Sequence, residues 1–459
     1  FLFKSINHII YMLCPVHADM IETILIETNR QGRRKKGADY KVIDFAEMKA
    51  FIGLLILRGV YRAAGECTDE LWSALHGRVI FSKTMSLSRF KLIRSILRFD
   101  NVETRQGRLA RDKLTAVRLL IDGFVQHSQD SYVPGPSITV DEQLYPWRGR
   151  CRYRQYMASK PAKYGLKFWL ACDSDNYYCW NLQFYCGREE ERDATVSLGE
   201  HVVLSLTEKL SRSGRNVTCD NFFTSLNLAR QLRARNMTLV GTVRANRREL
   251  PVVMASHHHR EIYSTIQALN FDETCTTLLV SYMATRSKCV NILSTSHRKA
   301  IIDANTEKKK PDVIQYYNAT KGGVDAADER VSTYSVKFRC QRWHVIVFCN
   351  ILDLSALNGF VTHSLFDPEW NKTKKERRRL YLLELGNALL HDHSNRPQPA
   401  LSTGPGRRQT GASTDDRKRG VCNECPIGNK KKCSNRCDSC NSFICKDHSV
   451  TICPQCFDN

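Results

Sequence analysis

Apolar residues recur at helical spacing from Val42 to Tyr61, with Asp44 placed to cap the helix, and again from Ser86 to Leu97 and from Leu114 to His127. This pattern predicts a mainly α opening to the chain. Val133-Pro134-Gly135-Pro136 breaks it, and the period then shortens to that of strands. Strands are expected at Ser137–Val140, Asn216–Cys219, Thr238–Arg244, Leu278–Tyr282 and Cys289–Leu293. A hairpin is expected from Lys167–Cys172 and Tyr177–Tyr185 around Ser174-Asp175-Asn176. Helices are expected at Val196–Leu210 and Ser225–Arg235, and an apolar one at Val345–Val361. Strands followed by helices argue for a mixed α/β layer. Asn395–Arg419, rich in Pro, Gly, Ser, Thr and Arg, reads as a flexible basic linker.

Of the 459 residues, 42% are hydrophobic, enough for a sizeable core. The longest uninterrupted apolar stretches are short, such as Phe51 to Leu57. A membrane span needs about 20 apolar residues, so none is expected, and no signal-peptide pattern is visible. The first residue is Phe1, so the natural chain is expected to begin earlier. The net charge of +22 changes the picture, because such an excess attracts polyanions, nucleic acid first and anionic membrane second. Basic residues also cluster at Arg33–Lys36, and six fall within Lys372–Arg379.

The chain has 19 cysteines. Those from Cys14 to Cys349 are dispersed, as expected of buried small hydrophobes in a reducing compartment. Sequons at Asn216, Asn236, Asn318 and Asn371 are short enough to recur by chance. The tail is different. Its spacing, C-x2-C-x11-C-x2-C-x4-C-x2-H-x4-C-x2-C, forms four pairs: Cys422/Cys425, Cys437/Cys440, Cys445/His448 and Cys453/Cys456. Each x2 turn presents two ligands to one metal, so four pairs suit two tetrahedral Zn²⁺ ions. Sequential and cross-brace pairings are both open; the short gaps between later pairs favour the cross-brace. Cys433 stays outside the pattern. His257, His258 and His259 also cluster, but nothing nearby completes a ligand set, so a solvated loop is expected there.

Four carboxylates are candidates for chemistry. Asp141 follows Ile138-Thr139-Val140, and Asp220 follows Val217-Thr218-Cys219, so each ends a strand-like run and can face a shared cleft. Asp325 and Asp328 follow Gly322-Gly323, a helix start, and their i, i+3 spacing puts them on one face. Converging Asp oxygens suit Mg²⁺, and paired ions serve phosphodiester chemistry. The competing reading is ordinary caps and turns. Around these acids, Arg148, Arg150, Arg152 and Arg154 alternate with Tyr145, Trp147 and Tyr153. Lys160, Lys163 and Lys167 follow, and Arg244, Arg247 and Arg248 end the later strand. Arg–aromatic alternation can grip phosphates and stack bases; a solvated edge strand would look the same.

These motifs together resemble a known family. Asp141-Glu142-Gln143-Leu144, Arg148-Gly149-Arg150-Cys151, Lys160-Pro161 and Lys163-Tyr164-Gly165 look like the opening of a piggyBac-type transposase catalytic domain. Thr218-Cys219-Asp220-Asn221-Phe222-Phe223-Thr224-Ser225 and Gly241-Thr242-Val243-Arg244 look like its second motif. Tyr316-Tyr317-Asn318, Lys321-Gly322-Gly323-Val324-Asp325 and Asp328 look like its third, and Arg342-Trp343 and the tail keep the family's order. The resemblance implies an α/β fold with an RNase H-like catalytic core (137–246 and 314–334), a β-rich insertion (247–313) and a split helical DNA-binding and dimerisation domain (1–136 and 335–395). A basic linker (396–420) and a C-terminal cross-brace zinc finger (421–459) would follow.

It implies two Mg²⁺ ions on Asp141, Asp220 and Asp325, with Asp328 as a further acid of the site. DNA contact would fall to Arg148, Arg150, Lys160, Lys163, Arg244, Arg247, Arg248, Arg342 and Trp343. The activity would be excision through hairpin ends and insertion at TTAA targets, by a homodimer on double-stranded DNA in the nucleus, with no membrane partner. Family members usually carry an acidic segment before this point, and its loss would inflate the charge. Two other classes fit parts of the pattern: a domesticated DNA- or chromatin-binding protein without catalysis, and a RING- or PHD-like module that recruits proteins.

Overall fold

Asp44 caps the first apolar helix as its position predicts, its carboxylate accepting the Glu47 N–H at 3.0 Å. The computed structural model describes residues 17–187, 196–247, 250–255, 260–272, 274–303 and 305–396, and in the tail residues 420–421, 425, 431–433, 443 and 445–448. The chain divides into two compact units, Phe1–Arg396 and Pro397–Asn459.

In the first unit the helices α1 (Ala18–Lys36), α2 (Phe45–Val60), α3 (Leu87–Ile96) and α4 (Arg118–Ser131) precede the sheet. Helix α4 starts later than its apolar pattern suggests. Asp112 explains this: it accepts the Leu114 N–H at 2.9 Å and the Arg118 guanidinium at 2.8 Å, holding the intervening residues in turns. Helices α5 (Leu198–Leu206) and α6 (Leu226–Ala234) alternate with the strands of the sheet, and α7 (Asp312–Thr320), α8 (Gly323–Thr333), α9 (Trp343–Phe366) and α10 (Arg377–Ser394) follow it. Ser197 and Glu200 form a reciprocal capping box on α5.

Helices α2 and α10 join the two ends of this unit. A Cβ at Gly53 would lie 2.8 Å from the Gly386 carbonyl oxygen, and one at Gly386 would lie 2.7 Å from Leu57. Only hydrogens fit between the two backbones. Lys49 pairs with Asp392, and Arg396 with Asp44, across the same pair of segments. Helix α9 lies in the core and is buried on nearly all sides. It corrects the expectation that no segment reaches membrane-spanning length: it passes that test with a mean hydropathy of 1.7. However, 83% of its apolar window is buried within the protein, as a core helix would be.

The strands are β1 (Ser137–Pro146), β2 (Arg154–Tyr156), β3 (Tyr164–Asp173), β4 (Cys179–Phe184), β5 (Asn216–Cys219), β6 (Thr238–Val243), β7 (Thr265–Asn270), β8 (Thr277–Thr285) and β9 (Lys288–Ser294). They form one sheet in the order β2-β3-β1-β5-β6-β9-β8-β7, with β4 also on β3. β1, β3 and β4 pair antiparallel, whereas β1, β5 and β6 run parallel. The strands β7 to β9 extend the same sheet, because β9 pairs antiparallel with β6.

Side-chain alternation along β3 divides the core. Leu166, Phe168, Leu170 and Cys172 pack with the helical layer of α1 to α4, α9 and α10. Trp169 and Ala171 face the opposite cluster, with α5 and α6.

In the second unit, Gly420–Val421 and Lys432–Cys433 form a short antiparallel pair, and a 3₁₀ turn spans Lys446–His448. Cys422, Cys437, Cys440, Cys453 and Cys456, the His257–His259 cluster and Arg248 lie outside the described residues.

Candidate active site

The acid cluster is built on one face of β1. Thr139, Asp141 and Gln143 alternate onto that face, while Ile138 and Val140 point into the opposite core. The sequence pattern placed Asp141 beyond the strand, but β1 runs on to Pro146. What stops at Val140 is the parallel pairing with β5, whose last partner is Cys219. Asp141 and Asp220 therefore stand one step past the end of the same register, on neighbouring parallel strands.

Two hydroxyl contacts bring in the third element. Thr139 Oγ1 donates to the Thr320 carbonyl at 2.6 Å, and the Thr218 and Thr320 hydroxyls meet at 2.8 Å. These tie the end of α7 to β1 and β5. A Cβ at Gly323 would lie 2.4 Å from Thr139 Oγ1, so the first residue of α8 must be glycine for the helix to come this close. Asp325 and Asp328, in the first turns of α8, are thereby delivered to the same edge. Gln143 Nε2 donates to Asp328 Oδ1 at 2.9 Å.

Crowding shows in the protonation equilibria. Burial raises the Asp141 pKa to about 7, helped by the charges of Glu142 and Asp220. The Glu142 N–H, donated to Asp141 Oδ1 at 2.8 Å, opposes the shift. Burial also pushes Asp328 up, against its bond from Gln143. Lys160 supplies the local cation. Its ammonium donates to the Glu142 carbonyl at 3.1 Å and lies 3.4 Å from Asp325 Oδ1. Burial pulls the Lys160 pKa down, but Asp325, Asp141, Glu142 and Asp328 outweigh that and raise it.

Asp325 is the most open of these acids, with its side chain 69% exposed. Among the described residues, the one set of three metal-type ligands all within 4.8 Å of one another is His17, Asp19 and His127, at the start of α1 and on α4. The acid cluster is looser than that, with an ammonium standing among its members.

The other candidates are placed as follows. Arg148 and Arg150 are exposed in the loop after β1, and Lys163 is exposed in the turn before β3. Arg244 is exposed beyond β6 and donates to Asn221 Oδ1 at 3.0 Å. Arg247 leans toward the Thr224 carbonyl. Arg342 and Trp343 are engaged internally. The Arg342 guanidinium donates to the carbonyls of Arg94, Ser95 and Leu97 at the end of α3. Trp343 packs edge-on to Tyr153 and stacks on Phe184.

Sequence reasoning named Lys167 only within a basic run and did not single out Trp169, so it missed how the other side of the site is built. Lys167 stands 3.7 Å over the Trp169 ring and 3.9 Å from Glu142 Oε2, and Trp169 stacks on Phe222, two residues after Asp220. The period-2 alternation beginning at Thr139 was the signal that could have found Gln143.

In the second unit, Cys425 and Cys445 are buried with their Sγ atoms 3.9 Å apart, and Cys433 packs against them. They come from the first and third of the four pairs in the tail, the combination a cross-brace brings together.

Residues 11–360 match the transposase family described as Transposase IS4, and the chain belongs to that family. Its fold matches a piggyBac transposase seen by cryo-EM in a synaptic complex with hairpin DNA, with a TM-score of 0.78 and 31% identity over 96% of this chain and 95% of that one. It is similar to two human proteins. PiggyBac transposable element-derived protein 3 is 25% identical over 430 residues, 90% of this chain and 69% of that protein. PiggyBac transposable element-derived protein 2 is 24% identical over 359 residues, 75% of this chain and 59% of that protein. Within the transposases, the chain is thus of the piggyBac type.

Proposed function

We propose that the chain is a DNA transposase that cuts and joins phosphodiester bonds at the Asp141/Asp220/Asp325 edge, with Asp328 as a supporting acid. The observation that carries this reading is the meeting of Asp141 and Asp220 past the end of one parallel register, with Asp328 of α8 hydrogen-bonded to Gln143 of β1 and Lys160 joining Asp325 to the Glu142 carbonyl. An order of three antiparallel strands followed by two parallel ones supports an RNase H-like core over 137–246 and 314–334.

The residues fit a pair of hard cations: all are oxygen donors, and the crowded charge on Asp141 calls for a counter-ion. When bound, Mg²⁺ would act as a Lewis acid and would lower the pKa of an attacking water or 3′-hydroxyl. The chain's own residues do the rest. Asp141 and Asp220 hold the edge rigid from the sheet, and Asp325 supplies the open side. Arg148, Arg150, Lys163 and Arg244 present exposed positive charge to the DNA backbone, in keeping with the net +22.

The same reading includes hairpin ends, TTAA targets, a homodimer and action in the nucleus. It extends to the tail. Two thiolates on one tetrahedral Zn²⁺, each at about 2.3 Å, stand about 3.8 Å apart, close to the Cys425–Cys445 spacing. The pairs Cys422/Cys425 and Cys445/His448 would hold one ion, and Cys437/Cys440 and Cys453/Cys456 the other. The β-rich insertion would be 247–313 and the helical DNA-binding domain 1–136 with 335–395.

The test is Mg²⁺-dependent nicking of a supercoiled plasmid carrying TTAA. Wild type should nick it, and Asp220→Asn should not. Equal nicking by both would remove the assignment. A second reading, a transposase-derived DNA binder without catalysis, is favoured by one observation: both human relatives are named as derived from a transposable element. It predicts salt-sensitive plasmid binding without nicking by the wild type.

A further inference from the structure

Gln143 is fully buried, and both ends of its amide are engaged. Its Nε2 donates to Asp328 Oδ1 at 2.9 Å, and its Oε1 accepts from Asn350 Nδ2 at 2.8 Å. Asn350 belongs to α9 and is likewise fully buried. Its own Oδ1 finds no hydrogen-bond partner. An apolar residue at 350 would suit this helix better, because a buried acceptor left without a donor is destabilising. The single bond Asn350 makes must therefore accomplish something else.

What it does is fix an orientation. A glutamine amide can turn over, exchanging donor and acceptor. If Gln143 did so, its Oε1 would face the Asp328 carboxylate, acceptor against acceptor. The N–H that Asn350 directs at Oε1 opposes that arrangement, because the flip would cost this bond as well.

We propose that Gln143 and Asn350 are positioning residues for the acid edge: Asn350, from the helical layer, holds the Gln143 amide so that its N–H keeps Asp328 aligned beside Asp325. This rests on the transposase reading above. It also gives the helical layer a direct hold on the acid cluster, since α9 reaches Asp328 through one intervening side chain. Ligand-orienting partners of this kind act on a metal through the residue they hold, without touching the ion.

The test uses the full chain and Mn²⁺ alone as probe, followed by calorimetry, with plasmid nicking measured in parallel. Asn350→Leu removes the orienting donor; it also removes the unsatisfied Asn350 acceptor while leaving Gln143 Oε1 without its donor, so its melting temperature without metal should stay close to that of wild type. Its half-saturating Mn²⁺ concentration should rise about tenfold, and its nicking rate should fall by a similar factor. Plasmid binding without metal should not change. Gln143→Met, which keeps the length but removes both ends of the amide without adding charge, should shift Mn²⁺ saturation in the same direction and is the second variant should the first not fold. A purely structural role would lower the melting temperature and leave Mn²⁺ saturation alone. Folded variants that saturate like wild type would overturn the relay while leaving the transposase reading intact. A wild type that takes up no Mn²⁺ would bring down both.

Discussion

Two aspartates in this molecule have pKa values pushed up to about 7, and their surroundings could hardly differ more. Asp353, on α9, is buried and fully served: Tyr145 donates to it at 2.7 Å, Ser335 at 2.6 Å and the Val336 N–H at 2.8 Å. Burial raises its pKa against all three bonds. Asp141 is raised by burial too, but its neighbours add to the shift: Glu142 and Asp220 repel it, and the Lys160 ammonium only partly compensates. The same displacement thus has two meanings. A carboxyl surrounded by donors belongs to the architecture; a carboxyl surrounded by other carboxylates is a place prepared for positive charge.

The largest effect that separates the two should come from Asp141→Asn. If the proposed function holds, this removes a metal ligand and forfeits several kcal/mol of transition-state stabilisation, so nicking should fall at least about hundredfold. The melting temperature should hold or rise, because a repelled charge is gone. A marked loss of stability would place Asp141 with Asp353 and break the contrast.

Asp353 should behave in the opposite way. Asp353→Ala strands the Tyr145 and Ser335 hydroxyls and the Val336 N–H, and urea unfolding should show a loss of about 3 kcal/mol or more. Its pH dependence has a definite sign. The folded pKa of about 7 lies above the ordinary 3.8, so the folded protein keeps a proton that the unfolded chain gives up. The contribution is complete below about pH 4, is lost as pH rises toward 7, and is level above that. Asp353→Asn should reduce the slope in that window, leaving the part of the same sign that Asp141 contributes. An unchanged slope would remove Asp353 as its source.

Next in size, Gly53→Ala should cost about 1–3 kcal/mol by forcing α2 and α10 apart. Thermal unfolding measures it, and a neutral result would mean that the crossing can relax. Smallest is Lys160→Met, expected to lower metal-free stability by about 1 kcal/mol or less, with the difference from wild type shrinking as Mn²⁺ is added. A constant difference would deny that Lys160 stands in for a cation.

Much of this was legible along the chain. Asp44 is a cap because a short acceptor at that position satisfies an N–H group that a helix leaves open. Ser174-Asp175-Asn176 turns between β3 and β4 because such residues suit tight turns. The acids were identified by motif, yet Asp141 was placed beyond a strand that continues through it. Pairing on one side of β1 ends at Val140 while pairing on the other goes on to Pro146, and a single chain carries no record of two different partners. Arg342 was named as a DNA contact through the motif it forms with Trp343. That three carbonyls at the end of α3 accept from its guanidinium is not visible along the chain. Strand β7, with its weak alternation, escaped notice until β8 lay beside it.

By itself, then, the sequence determined the local matters: which stretches coil, where they stop, which residues carry charge, and the paired cysteine spacing of the tail. All of these depend on neighbours within a few positions. The tertiary structure alone decided which acids share an edge, that Lys160 stands among them, that Gln143 joins Asp328 to Asn350, and that Gly53 lets α2 meet α10. Those contacts join residues scores to hundreds of positions apart. They are set by how the sheet and the helical layer close against each other, which periodicity along the chain does not encode.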